Sequence, residues 1–373
     1  MLTSIRNILA LAALAWLASP GQLHAADRIP IKVIIISCFE VGNDTGDVPG
    51  EFQYFAEREH LTKVIDVPGA PHPLVHNDEG LYGSVAGVVK TTPQATPDHL
   101  SCVVTSELIM ALCLDPKLDL RKTYWIINGI AGIDPQQGSI GSAAWAKHVV
   151  DGDAMREIDD TEVPAGWPYG LFAVGTMKPD TLPLANTKNG GWGGANLTYT
   201  MDFALNPKLA DWAYQTSKGV TLPDSDALKA YRAKYVGFPK AQEPPQIILG
   251  DSLGSVRYWH GPKRTQWARD WVKLWTNGEG TFTTTAMEHQ DYMNTLTDMA
   301  KQGFVDINRV MMLRGASNYC MPPPGQSIES TIGDESTGTA PAYEADYQAA
   351  TAVAHELLKN WATYKDTIPG PKN

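Results

Sequence analysis

Three short apolar runs constrain this chain most: "KVIIISCFE", "KTYWIINGIAGID" and "NRVMMLRGASN". Each holds four consecutive large apolar residues and then turns abruptly to small or polar ones. A run that short, with no polar residue alternating through it, reads as a strand buried on both faces, the kind found in α/β sheets. The last run delivers a Ser-Asn pair, Ser317 and Asn318, at its carboxyl end. Open α/β sheets bind their ligands at such strand ends.

Helical signals lie between the strands. A helix is expected over Phe52–His60, and "DHLSCVVTSELIMALCLDP" carries helical spacing with Asp98 as its cap. "NPKLADWAYQTSKG" and "DSDALKAYRAKYVG" are helical in pattern, and a long closing helix presents Ala350, Val353, Leu357 and Trp361 along one face. Further strands are predicted in "GSVAGVVKTT", "PQIILGDSLGS" and "TFTTTAME". Within residues 151–245, "EVPAGWPYG" and "TKNGGWGGAN" lack periodicity and read as long surface or lid loops. There is no internal repeat, and one elaborated domain over residues 27–373 is expected.

The first 26 residues have the layout of a secretory signal peptide: Arg6, an apolar core from Ile8 to Ala18, then small residues before Asp27. That core is about half the length of a membrane-spanning helix, so no stable membrane insertion is expected. A secreted, periplasmic protein is expected. Four cysteines, Cys38, Cys102, Cys113 and Cys320, allow disulfides in that setting; free thiols are the alternative, and Cys38–Cys320 is the favoured pair if one forms. The net charge of −11 argues against nucleic-acid and anionic-membrane partners.

The candidate site residues all stand near strand ends. Gly129, Ala131 and Gly132 in "NGIAGID" could bring bare backbone to an anion or a sugar, or could be ordinary turn residues. Met287 and Glu288 lie where a Thr-rich strand gives way to a helix. A carboxylate there suits a vicinal diol such as that of ribose, although a surface glutamate would look the same. Tyr258 and Trp259 could stack on a flat ring or simply fill the core. Asn318 offers both a donor and an acceptor to a heterocycle, or serves a turn. None of the nine histidines shows metal-ligand spacing, and no metal or cofactor is expected; His289 reads as a helix-surface residue.

Taken in order, these segments resemble the nucleoside phosphorylase and nucleosidase superfamily. "FEVGNDTGDVPGEF", "NGIAGIDPQQGSIGSAAWAKHVVDGD", "KAYRAKY" and "LRGAS" resemble the purine nucleoside permease family, along almost the whole chain from Lys32. The resemblance implies a mixed, partly closed β-sheet flanked by helices, here with long Gly/Pro/Trp-rich insertions, and a purine nucleoside in a cleft at the strand ends. It places the ribose on Met287 and Glu288, the base on Asn318 where most relatives carry Asp, and a stacking aromatic at Trp259. It leaves a homo-oligomer open.

Two kinds of chemistry follow. Phosphorolysis would need phosphate as co-substrate and a cationic site for it. The loop after the first strand, "FEVGNDTGD", instead carries Glu40, Asp44 and Asp47, with no cation before Arg58. Such a loop favours hydrolysis, with Glu40 orienting and deprotonating a water, unless the fold brings in a distant cation such as Lys90. Asn318 cannot protonate a leaving purine but can hydrogen-bond it. That leaves a non-catalytic nucleoside-binding protein as the alternative, and a lectin-like protein using its Trp-rich loops as a more remote one.

Overall fold

The structure, a computed structural model, describes residues 28–89, 102–183, 200–334 and 336–371. The signal-like segment, Lys90, Asp98 and the "TKNGGWGGAN" loop lie outside these residues.

The chain forms β1 (Val33–Val41), the short helix α1 (Gln53–Arg58), β2 (Leu81–Val89) and α2 (Cys102–Leu114). There follow β3 (Tyr124–Asn128), β4 (Ile130–Ile133), β5 (Ala143–Trp145), α3 (Pro207–Ser217) and α4 (Asp226–Arg232). The last third supplies β6 (Asp251–Gly254), α5 (Pro262–Trp275), β7 (Phe282–Ala286), α6 (His289–Lys301), β8 (Val310–Tyr319) and α7 (Thr339–Lys359).

These strands join one mixed sheet of 13 strands, with central order β6-β7-β4-β8-β3-β1-β2. From β2 to β4 every pairing is parallel; β4 then meets β7 antiparallel. The ten-residue β8 runs along two partners in turn, pairing β3 through Val310–Met312 and β4 through Gly315–Tyr319. It also pairs β5 antiparallel through Leu313–Gly315, so the sheet branches and begins to close on itself there.

The apolar runs are buried on both faces, and successive side chains divide between two cores. Ile34, Ile36, Trp125, Ile127, Val310 and Met312 pack with α2 and α6. Val33, Ile35, Tyr124, Ile126, Met311 and Leu313 pack with α1, α3 and α7. Full burial of each such side chain contributes roughly 1.5–3 kcal/mol. The closing helix buries Ala350, Val353 and Leu357 as its spacing predicts but stops at Lys359, and Trp361 opens a separate short turn of helix.

The free-thiol alternative holds for Cys38 and Cys320, and the expectation for His289 is corrected. Cys38 and Cys320 are both free, buried thiols. Cys38 lies under Arg314, with Sγ 3.0 Å from Nη1, whereas Cys320 packs among Trp267 and Trp271 and accepts from Thr265. Cys38 lies within β1 and Cys320 directly follows β8 of the same sheet, but they join different clusters. His289 is fully buried rather than on a helix surface, because α6 turns its first residue inward onto Ser252. Burial, and secondarily the Arg314 charge, push its pKa well below the usual imidazole value.

Candidate functional site

The cleft is built around Gly132. In β4 this residue pairs with Thr285 of β7 on one side and with Asn318 of β8 on the other. A Cβ there would stand 3.3 Å from both Asn318 Nδ2 and Thr285 Cγ2, so glycine keeps the floor open. The register of β8 slips between Ala316 and Asn318, an irregularity of the kind that re-aims a side chain beside functional sites. Ser317 fixes the result: its hydroxyl donates to Asn318 Oδ1 at 2.8 Å and approaches the Ala131 carbonyl at 3.3 Å. The amide nitrogen lies over Gly132 and donates one of its two N–H groups to the Tyr319 carbonyl at 3.3 Å.

Residues Ser255–Trp259, which leave the end of β6, form the opposite wall. Together with Gly132, Thr285, Met287 and Asn318 they line a cleft whose space, open mouth included, is about 290 Å³. Trp259 meets Trp267 edge to face at 5.8 Å, so it is at once core and pocket wall. Tyr258 lies at the more exposed rim. The root of this wall is tied down by Asp153, which follows the strand His148–Asp151. One Asp153 oxygen accepts from Ser255 Oγ at 2.8 Å; the other accepts from the Val256 amide at 2.8 Å and from Gln290 Nε2 at 3.0 Å.

Met287 lines the cleft, and Glu288 follows it as the residue that caps α6. The Glu288 carboxylate lies 3.9 Å from Arg314 Nη1. Arg314 is fully buried, and the same nitrogen donates to Cys38 Sγ. Burial alone would lower the guanidinium pKa, but Cys38, Glu288 and Glu51 together raise it. Burial raises the Glu288 carboxyl, with Arg314 opposing. Glu51 completes the group, accepting from the Cys38, Phe39 and Ile130 amides at 2.8, 3.0 and 2.7 Å. Burial, and after it the Glu288 charge, push Glu51 up to about 8.

Gly129 serves this cluster. A Cβ on it would sit 2.4 Å from Arg314 Nη1 and 2.8 Å from both Glu51 oxygens. Its lack of a side chain makes room for the Arg–Glu group behind the cleft, so its role is indirect. Ala131 is likewise buried and turns its carbonyl to Ser317.

Glu40 stands apart from the cleft. Its carboxylate accepts four backbone amides, from Val41 and Gly50 on one oxygen and from Phe52 and Gln53 on the other. It clasps the loop after β1 to the start of α1, and this geometry leaves it turned into its own loop rather than toward a water beside the sugar site. The structure therefore brings together Gly132, Tyr258, Trp259, Met287 and Asn318, with Glu288 at the edge. The residues that sequence reasoning passed over as actors are Arg314, Glu51 and Asp153. Arg314 carried a signal: a charge inside an apolar strand, four residues before Asn318, is costly to bury without partners. Among the described residues no group of three or more His, Cys, Asp or Glu side chains could hold a metal ion.

Comparison with known proteins gives the family and the fold. The profile of the family described as "Purine nucleoside permease" matches residues 30–369. A purine nucleoside permease of Candida albicans is 31% identical over 319 residues, covering 82% of this chain and 73% of that protein. A probable purine nucleoside permease of Schizosaccharomyces pombe is 30% identical, over 68% of this chain and 72% of that protein. Among solved structures, the 5′-methylthioadenosine/S-adenosylhomocysteine nucleosidase of Neisseria meningitidis superposes with a TM-score of 0.50 at 11% identity, over 88% of this chain and all 100% of that one. Futalosine hydrolase of Helicobacter pylori gives 0.50 at 10% identity, over 88% and 99%. At such identities these last two speak for the fold alone.

Proposed function

Since the chain belongs to the purine nucleoside permease family, we propose that its cleft binds a purine nucleoside and cleaves the N-glycosidic bond by hydrolysis. The single observation that carries this reading is the convergence of Asn318, Met287 and Trp259 on one glycine-floored cleft, with the Glu288–Arg314 pair at its edge. The base lies over Gly132, within reach of the Asn318 amide nitrogen, and Trp259 and Tyr258 form its aromatic wall. Ser317 takes one lone pair of Oδ1 and the Tyr319 carbonyl one amide N–H, which leaves one N–H to donate to the N7 or O6 acceptor of a 6-oxopurine. The ribose diol binds Glu288, with Met287 against its apolar face.

Cleavage develops positive charge at C1′ and negative charge on the departing base. Asn318 stabilises the base by hydrogen bonding without transferring a proton to it. Glu288 and Glu51 flank Arg314 beside Met287 and Gly129; in this reading Glu288 holds the diol and Glu51 orients the attacking water. A phosphate dianion would have to share the one guanidinium of Arg314 with Glu288, already 3.9 Å away. This crowding of carboxylates favours water as nucleophile over phosphate.

The signal-like first 26 residues support an exported protein. No helix among the described residues is long and apolar enough to cross a membrane. An exported chain with this activity would serve nucleoside uptake by capturing and processing nucleosides outside the cytoplasm. The test is incubation of the purified mature chain with inosine, guanosine and adenosine, with and without phosphate, followed by chromatography. Free base and ribose in both conditions support hydrolysis. Base release only with phosphate, accompanied by ribose 1-phosphate, overturns it. Tight binding with no cleavage would instead favour a receptor built on a nucleosidase fold.

A further inference from the structure

The Ser255–Trp259 wall has a second hollow against it, of about 190 Å³ without its open mouth, which shares Ser255, Arg257, Tyr258 and Trp259 with the cleft. Its own walls are Leu171, Arg264 and Trp267. It includes none of Gly132, Met287 or Asn318, so it opens away from both the sugar contacts and the amide that reads the base. Resting on the nucleoside reading above, we infer that this hollow is a substituent subsite: it takes an aromatic or branched hydrocarbon group carried on the C2 edge of the purine.

The chemistry of the lining selects that class. Trp259, Trp267, Tyr258 and Leu171 give it aromatic and aliphatic surface. Its two cations are already engaged: Arg257 donates to Glu157 at 2.5 Å and Arg264 at 3.3 Å, with Asp160 a further 3.8 Å partner of Arg264. Their charges are offset in place, which disfavours an anionic group there, while their flat guanidinium planes remain suited to stacking on an aromatic ring. The position on the base follows from exclusion. Asn318 takes the N7 and O6 edge and the ribose occupies N9, so C8 is hemmed between those two contacts and the C2 edge is the one free to run past Ser255 and Tyr258. The lining is rigid on its inner side, where Trp267 is buried against Ala268 and Trp271 in the third core.

The experiment is calorimetric titration of the whole mature chain with guanosine and with N2-benzylguanosine, both as carbocyclic analogues, which have no glycosidic bond to cleave. The benzyl compound should bind at least about tenfold more tightly, a modest return for burying one aromatic ring. Two variants fill the hollow without touching the cleft: Leu171→Trp from the buried side and Arg264→Trp from the rim. Each should leave guanosine affinity unchanged and abolish the gain, and the second guards against misfolding of the first. The inference is overturned if guanosine binds but the benzyl compound binds no tighter, or if the gain survives in either folded variant. If neither compound binds the wild-type chain, the nucleoside reading itself fails and takes this inference with it.

Discussion

Asn318 and Glu51 are the two residues whose surroundings make the sharpest demands. Asn318 Oδ1 accepts from Ser317 at 2.8 Å and its amide donates one N–H to the Tyr319 carbonyl at 3.3 Å, which orients the group and leaves one N–H for a base. Replacing Asn318 with Ala should therefore cost about tenfold in affinity for 6-oxopurine nucleosides, in keeping with one lost hydrogen bond of about 1–1.5 kcal/mol. Free ribose, or a nucleoside with a non-hydrogen-bonding base, should bind as before; an unchanged base preference would remove Asn318 from the site. Glu51 makes a different claim. Burial first, and then the Glu288 charge, raise its pKa from the ordinary 4.5 to about 8, with Arg314 opposing. Between those values the native chain holds a proton that the unfolded chain has released. This group's contribution is thus present below pH 4.5 and is lost as pH rises through about 8. Melting curves across that window should show wild type losing Tm relative to Glu51→Gln as pH climbs. Parallel pH profiles for the two proteins would contradict the assignment.

At the scale of elements, the cleft depends on one side chain that joins two arms. Asp153 accepts from Ser255 and Val256 at the root of the aromatic wall and from Gln290 in the first turn of α6, next to Met287 and Glu288. Asp153→Ala should release both arms. The expected result is a rise in KM of about tenfold or more and a stability loss of roughly 1–3 kcal/mol from stranded donors. Unchanged KM and Tm would show that the arms hold themselves. Much of this architecture was legible in sequence, because four-residue apolar runs can only be satisfied between two layers of helices. The strand-to-helix junction at Met287–Glu288 and the Ser-Asn strand end were legible for the same reason. Asp153 was not, since a turn aspartate in "DGD" looks like any other until β6 and α6 are placed beside it. Glu40 misled for the converse reason: an acidic loop after a strand suggests chemistry, whereas four backbone amides converge on its carboxylate. Periodicity reports which side of a strand is buried, and it carries no information on which loops meet across the sheet.

For the whole molecule, the proposal joins an export signal to a nucleoside-cleaving fold. Expressed in a bacterial host with a periplasm, the chain should appear in the periplasmic fraction with an N-terminus at Ala26 or Asp27. An intact Met1 in the cytoplasm would contradict export. The ligand claim, on which everything else rests, is tested most directly by titrating guanosine and guanine into the wild type and into Glu288→Gln. If the ribose sits on Glu288, the substitution should weaken guanosine by about tenfold, the cost of a hydrogen bond to a charged partner. The free base, which never reaches that carboxylate, should bind both proteins alike. Equal guanosine affinity in the two proteins, or no guanosine binding to the wild type, would contradict the account.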